Sequence, residues 1–434
     1  MLTRLARALP FYYGWVVIAV VFISMAIGVN ARTAFSLLFP PMLEEFGWER
    51  ALTAGAFSFG FMVSAVLSPV LGRVMDRHGP RLVNECGALL IAAGLLLATQ
   101  ASQPWHVYAT LGVLVGAGSV CLGYSGQALF LPAWFVRRRG LAMSIAFAGV
   151  GAGSILMLPW LQTLISQSDW RSACWTLGLI TLAVLVPLNL LLCRRPEDLG
   201  LQPDGDQASA AGAAAARQVA IVDAQWAATD WTLSRAMRTS RFWWVALGYF
   251  GGLFAWYAIQ VHQTKYLIEI GFGSAQAAWA LGAVSLAGVP GQILLGAVSD
   301  RYGREIVWTA GCLGFGLSYA VLLLLEHQPS PALLLLMVVL QGALGYGMTS
   351  VFGAIPAEIF EGKHYGAIFG TLMLAAIGGG AVGPWLAGLL HDHYGSYRPV
   401  FWIAIGICVV SALAIWRASP GKVRRVGGKI AAAR

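Results

Sequence analysis

The sequence predicts an all-α membrane protein, with twelve spanning helices arranged as two related six-helix bundles. Three observations carry that expectation. The chain has too little charge to face water, it contains a series of apolar runs each long enough to cross a bilayer, and a motif returns at a fixed distance in its second half. Charged residues make up 11% of the 434 residues and hydrophobic ones 58%, with a mean hydropathy of +0.71. An ordinary soluble domain carries roughly a quarter charged residues. A chain this long and this poor in charge must present much of its surface to lipid.

A helix needs about 20 apolar residues to cross the hydrocarbon core. Read in order, the runs near 12–39, 51–74, 82–101, 106–135, 140–166 and 172–193 form a first set of six. Those near 242–268, 275–299, 306–325, 331–358, 365–390 and 400–416 form a second. The first run is far longer than a signal-peptide core and has no small-residue cleavage site, so no cleaved leader is expected. Six scattered cysteines without a CxxC pair read as small buried hydrophobes rather than a metal site or disulfide framework.

Orientation comes from a separate signal. With both termini on the cytoplasmic side, all of the 28 lysines and arginines fall on that side except Arg50, Arg171, Lys265 and Arg398 towards the other face and Arg32 within a span. This is the positive-inside pattern. The net charge of +9 is therefore spread over loops and does not form a nucleic-acid stripe.

The expected organisation is a first bundle over 1–193, a cytoplasmic linker over 194–241, a second bundle over 242–417 and a basic tail over 418–434. The middle of the linker, GDQASAAGAAAARQ, has the low-complexity composition of a flexible connector. Its end, from Asp230 to Arg241, reads as a short surface helix with Asp230 as its N-cap. The tail, GKVRRVGGKIAAAR, is expected to touch anionic lipid.

The two halves repeat. GRVMDRHGPR at 72–81 returns as GAVSDRYGRE at 296–305, so Asp76 matches Asp300 at an offset of 224. Pro132-Ala133 matches Pro356-Ala357 at the same offset, and Pro159-Trp160 matches Pro384-Trp385 one residue later. Matches spread through each half point to a duplicated six-helix unit, an arrangement that places a binding site near the bilayer midplane.

The doubled loop element resembles the signature of the major facilitator superfamily, and the resemblance covers essentially the whole chain. It implies the twelve-helix fold of that family, a location in the inner cell membrane and monomeric function. It also implies that Gly72, Asp76 and Arg77, with Gly296, Asp300 and Arg301, form a conformational latch at the cytoplasmic helix ends. The alternative is a static anchor. Glu305 closes the second copy where the first has Arg81, which would weaken the second latch.

FYYGWVV, PPMLEEFGWERA, WFVRRRGLAMSIAFAGVGAG and VHQTKYLIEIGF look similar to elements of the monocarboxylate and oxalate–formate porters. That branch implies a secondary transporter of a small organic anion of the lactate or pyruvate type, coupled to protons. An oxalate–formate type of exchange and a drug or metabolite exporter on the same fold are the alternatives; a non-transporting receptor is a third.

Ionisable groups inside a span are costly and default to functional candidates. Arg32 stands about 30 Å of helix beyond Tyr12, in the outer part of a span that lines the cavity in the family. No acidic residue falls near a bilayer centre in any predicted span. A substrate carboxylate would meet the guanidinium in a bidentate way. If residues 11–31 cross alone, Arg32 instead snorkels to the interface.

His262 and Lys265 share one helix face at i and i+3. His262 could couple proton uptake to anion binding, or both residues could merely decorate the helix end. Tyr124, Gln127, Tyr257, Gln292, Gln341 and Tyr346 can each donate to a carboxylate or bridge helices instead.

The sequence departs from the branch in two places. AWALGAVSLAGVPGQILLGAVS carries no arginine, and the eleventh span has no lysine. Both absences weigh against a dicarboxylate. No GxxxxGK[ST] element, HExxH helix or paired catalytic carboxylates occur, so the chain is expected to need no cofactor or metal, to have no catalytic residues and to bind no nucleic acid. Its expected partners are a small organic anion, protons and membrane lipid.

Overall fold

The computed structural model describes residues 2–48, 50–205, 221–260 and 262–431. Most of the low-complexity linker, 206–220 with Arg217, and the last residues of the tail, 432–434, lie outside the described residues.

Among the described residues, ten helical runs are long and apolar enough to cross a membrane, and one bent pair passes the same test. One of the ten is double. Arg50–Ala98 is interrupted at Gly79, whose φ of 79° and ψ of 178° are not helical, and Pro80 follows immediately. Glycine reaches that conformation without the Cβ clash any other residue would meet. Splitting the run there gives the twelve predicted spans.

We number them α1 (Gly14–Phe46), α2 (50–78), α3 (80–98), α4 (Pro104–Trp134), α5 (Arg139–Gln167) and α6 (Trp170–Asn189). The second set is α7 (Ser240–Gln260 continuing as Gln263–Glu269), α8 (Ser274–Tyr302), α9 (Arg304–Leu325), α10 (Pro331–Ile359), α11 (Tyr365–Tyr394) and α12 (Arg398–Ala418).

The ends differ from the sequence expectation in two places. α1 continues through Pro40 and Pro41 to Phe46, a length that span prolines allow when neighbouring groups satisfy the freed carbonyls. The helix expected after Asp230 is the single turn Leu233–Met237, and Thr232 rather than Asp230 accepts the capping N–H from Arg235. A separate short helix, Ala224–Ala228, is capped by Asp223.

The chain divides into two compact units, Met1–Val136 with Ile145–Ala210 and Arg137–Ser144 with Ala211–Arg434. Each unit shows the duplication at atomic level. In the first, the Cβ that a side chain at Gly149 of α5 would add collides with the Phe22 carbonyl of α1, and one at Gly153 with that of Ala26. In the second, Gly379 of α11 meets the Phe250 carbonyl of α7, and Gly383 that of Phe254. These Gly-x-x-x-Gly faces let backbones touch where apolar burial supplies no drive between helices.

α4 and α10 are broken in the same style. Each widens into a π-helical stretch, Tyr108–Leu114 and Leu340–Leu344, before ending in short helical segments. Such insertions cluster at functional sites.

Candidate functional site

In the first unit, Arg32 lies just before the junction at Ala34 that divides α1 into Gly14–Thr33 and Phe35–Phe46. Its guanidinium carbon sits 4.2 Å from the centroid of the Phe61 ring on α2, within the range where a cation is attracted to an aromatic face. Arg32 lines a small pocket with Ala31, Phe35, Leu38, Phe57, Gly60, Leu111 and Val115, drawn from α1, α2 and α4. The guanidinium is the one charged group in an otherwise apolar wall.

Asn30, buried two residues earlier, fixes this stretch. Its amide donates to the Ala26 and Val150 carbonyls at 2.8 and 3.0 Å, and its oxygen accepts from Ser154 at 2.7 Å. Tyr124 meets Phe147 edge-on at 5.2 Å between centroids. Gln127 is buried and committed to Asn84 on α3 and the Cys121 carbonyl, so its bonds tie α3 to α4.

In the second unit, Tyr346 stacks on Trp256 with centroids 4.1 Å apart at 13°, and Trp256 also tilts against Phe315. The Trp256 indole donates to Gln260 at 2.8 Å. Tyr257 packs close to Gly380 of α11. Gln292 accepts from Thr349 at 2.8 Å and is buried. Gln341 is buried in the π-helical stretch of α10, with its Oε1 unpartnered in the structure. His262 sits at the bend of α7, 3.0 Å from the Pro384 carbonyl and 3.2 Å from the Tyr397 hydroxyl. Lys265 is exposed and 3.7 Å from Glu269. The structure thus groups Trp256, Tyr346 and Gln260 in one place and His262 with Tyr397 in another. Trp256 and Tyr397 escaped the sequence reading because one more aromatic on a Trp-rich helix, or at a helix start, carries no distinguishing pattern.

The Major Facilitator Superfamily profile matches this sequence twice, over residues 16–274 and 245–432. The chain belongs to the major facilitator superfamily. It is thus a multi-pass membrane transporter of a small molecule and not an enzyme. Monocarboxylate transporter 13 of Bos taurus is 27% identical over 398 residues, 90% of this chain and 86% of the relative. Monocarboxylate transporter 11 of Homo sapiens is 28% identical over 422 residues, 94% of this chain and 83% of the relative.

Two solved structures share the fold. The Escherichia coli fucose:proton symporter FucP superposes with a TM-score of 0.67 at 15% identity, covering 93% of this chain and 98% of its own. The human organic anion transporter MFSD10 gives 0.68 at 16%, covering 93% and 99%.

The superfamily loop element adopts different chemistry in its two copies. In the second unit, Asp300 accepts from the backbone N–H of Gly140 at 2.8 Å and of Leu141 at 2.9 Å, the open donors of the first turn of α5. Gly296 and Gly140 face each other so closely that a Cβ on either would strike the other's carbonyl. The basic partner of Asp300 is Arg304, four residues on, not Arg301. Arg304 is fully buried and bonds Asp300 at 2.6 Å, Ser299 at 2.6 Å and Glu358 at 2.7 Å. Arg301 is exposed and lies over Tyr302. In the first unit, Gly72 is buried, Asp76 half-buried and Arg77 exposed.

Two of the elements that carry the branch resemblance, FYYGWVV and PPMLEEFGWERA, form joints of the first unit. The hydroxyls of Tyr12 and Tyr13 donate to the Trp134 and Leu191 carbonyls, each at 2.9 Å, tying the start of α1 to α4 and to the end of α6. Burial pushes the Tyr13 hydroxyl up to about 12, so it remains a donor. Glu45 accepts from the Trp170 indole at 2.7 Å and from Arg171 at 2.6 Å, tying the far end of α1 to the start of α6.

Proposed function

We propose that this transporter carries a small organic monocarboxylate, of the lactate or pyruvate type, together with a proton. The observation that carries the reading is the setting of Arg32: one guanidinium in an apolar wall suits a ligand with one carboxylate and a small apolar body, for which the wall has to open, since the space beside it is about 10 Å³, room for one water. A carboxylate bound there gains charge-assisted, two-pronged hydrogen bonds. The relatives named as monocarboxylate transporters support the same class.

Protonation of His262, or of the carboxylate itself, would neutralise the loaded carrier so that alternating access moves no net charge across the hydrocarbon core. Tyr124, Tyr257, Gln292, Gln341 and Tyr346 complete the proposed set of polar substrate contacts. In this reading the Asp300 contact with the first turn of α5 breaks and reforms in each cycle, while Asp76 serves the first copy.

The test is uptake of labelled lactate and pyruvate into liposomes carrying the purified chain, with and without an inward proton gradient. Saturable uptake stimulated by the gradient and lost in Arg32→Gln is the expected result. Saturable uptake indifferent to Arg32→Gln would overturn the binding role. Saturable uptake of lipophilic cations or sugars, with none of any monocarboxylate, would overturn the substrate class.

A further inference from the structure

The basic tail that follows α12 is built into the second unit. α12 ends at Ser419, whose φ of 50° and ψ of 59° lie in the left-handed region, and the chain turns there. The Gly421 N–H then donates to Glu305, at the start of α9, at 2.8 Å. Arg424 donates to the Glu358 carbonyl at 2.9 Å and pairs with Glu361 at 3.1 Å, where α10 ends. Val423 and Val426 are buried, so apolar contact holds the tail as well as charge.

The end of the linker joins it. The Val222 N–H donates to the Val423 carbonyl at 2.9 Å, and Ile221 faces Arg424 in an antiparallel bridge. A turn later the Trp226 indole donates to the Ile359 carbonyl at 2.8 Å. Linker and tail therefore make one two-stranded strap, pinned to α9 and α10 at both of its strands.

Beyond Val426 the strap crosses the place where Asp300 meets α5. A Cβ at Gly427 would stand 2.8 Å from the Arg137 carbonyl, and one at Gly428 would stand 2.7 Å from the Arg301 Cα. Glycine allows a backbone to lie this close. Arg137 comes two residues before α5, and Arg301 directly follows Asp300. Two consecutive tail residues thus rest on the two segments that Asp300 joins through the Gly140 and Leu141 N–H groups. For Asp300 to leave those donors, the segment at Arg137 has to part from the one at Arg301, and the glycine pair spans both.

We propose that this strap is a conformational device: it holds the Asp300 contact shut, and its release sets how often that contact opens. Opening with the strap in place also breaks the tail's own contacts, and one hydrogen bond to a charged group already weighs about tenfold or more in such an equilibrium. The inference rests on the reading of Asp300 as a latch.

The test is hydrogen exchange in detergent on the whole chain, read residue by residue, since protected amides exchange through local opening. The Gly140 and Leu141 amides report the latch, those of Gly421 and Val222 report the strap, and those in the middle of α11 report the fold. Gly427→Val combined with Gly428→Val, and separately Arg424→Gln, are expected to free the strap amides and to speed exchange at Gly140 and Leu141 about tenfold or more, with α11 unchanged. Arg425→Gln, the same loss of charge at an exposed neighbour, is expected to change none of them. Latch amides as slow as in wild type while the strap amides are freed overturn the inference. So do strap amides unmoved in both variants, or latch and α11 amides accelerated alike. Asp300→Ala that leaves Gly140 and Leu141 as protected as in wild type overturns the latch reading, and this inference with it.

Discussion

Arg304 offers the sharpest test of how the second unit is held together. It is fully buried and makes three bonds of 2.6–2.7 Å, two of them to carboxylates, Asp300 and Glu358. Arg304→Met keeps much of the side-chain volume but strips both carboxylates of their shared cation. Breaking a buried pair by removing one member costs about 3–5 kcal/mol, because the remaining charge stays desolvated. Glu358→Gln should cost less. It preserves an acceptor near Arg304 Nε and leaves the cation paired with Asp300, so the loss is that of one charged hydrogen bond, about 1.5–3 kcal/mol.

The double variant decides between this account and simple loss of packing. With Arg304 and Glu358 both neutral, Asp300 still accepts from Gly140 and Leu141. The double variant should therefore recover part of what the arginine change lost, by about 1–3 kcal/mol of coupling. Thermal unfolding in detergent, read by a thiol-reactive dye, suits the site, since Cys312 and Cys408 are buried in the same unit and react when it opens. Arg304→Met melting within a degree of wild type, or single effects that simply add, would refute the reasoning.

Other outcomes follow from equally local geometry. Gly149→Ala and Gly379→Ala should each lower the melting temperature, by comparable amounts, because each places a Cβ on a backbone carbonyl that cannot swing aside; the same melting assay checks it. Gly79→Ala should destabilise the α2–α3 junction by about 1–2 kcal/mol, since φ of 79° is open to glycine and strained for alanine. Asp169 accepts from the Ser172 N–H at 2.6 Å as the N-cap of α6, a bond that holds its carboxyl below the ordinary range. A depressed acid adds stability above its unfolded pKa and loses it as pH falls through the folded value. Asp169→Ala should therefore cost about 1 kcal/mol near neutrality, with the difference from wild type fading as melting is repeated below about pH 4.

The spans, their number and their duplication were legible because each rests on a signal spread over many residues. Apolar length, loop charge and a motif at one offset survive the loss of any single position. Even the junction that fuses α2 and α3 was marked, by the Gly79-Pro80 pair inside the motif. The site was only partly legible.

Arg32 announced itself as a charge in an apolar run, and the pocket around it comes from residues with no polar signature. Gln127 looked like a ligand contact and is spent on Asn84 and Cys121. Arg304 was counted only as one more basic residue of the loop element. What sets it apart is depth, four residues past Asp300 and across Gly303 at φ 126°, where the chain turns it inward. Polar residues earn their roles from partners distant in sequence, and composition and period do not report those.

The two motif copies show why duplication predicts backbone better than chemistry. Gly79 and Gly303 occupy equivalent positions and both adopt positive φ, at 79° and 126°, so the turn was inherited as a shape. The next position holds Pro80 in one copy and Arg304 in the other. At the same offset of 224, Trp134 stands where the second copy has Glu358. The consequence is physical. Around Trp134 the first unit builds an aromatic joint, with Tyr12 donating to its carbonyl, Tyr13 tilted against its ring and its indole donating to the Cys193 carbonyl at 3.3 Å. Around Glu358 the second unit builds an ionic one, centred on Arg304 and carried through Asp300 to the first turn of α5. An aromatic joint is indifferent to charge, whereas a buried ion pair is stable only while each partner stays in place. The second copy is therefore the one in which a small displacement of Asp300 exposes a large electrostatic cost, and that is the property a two-position latch requires.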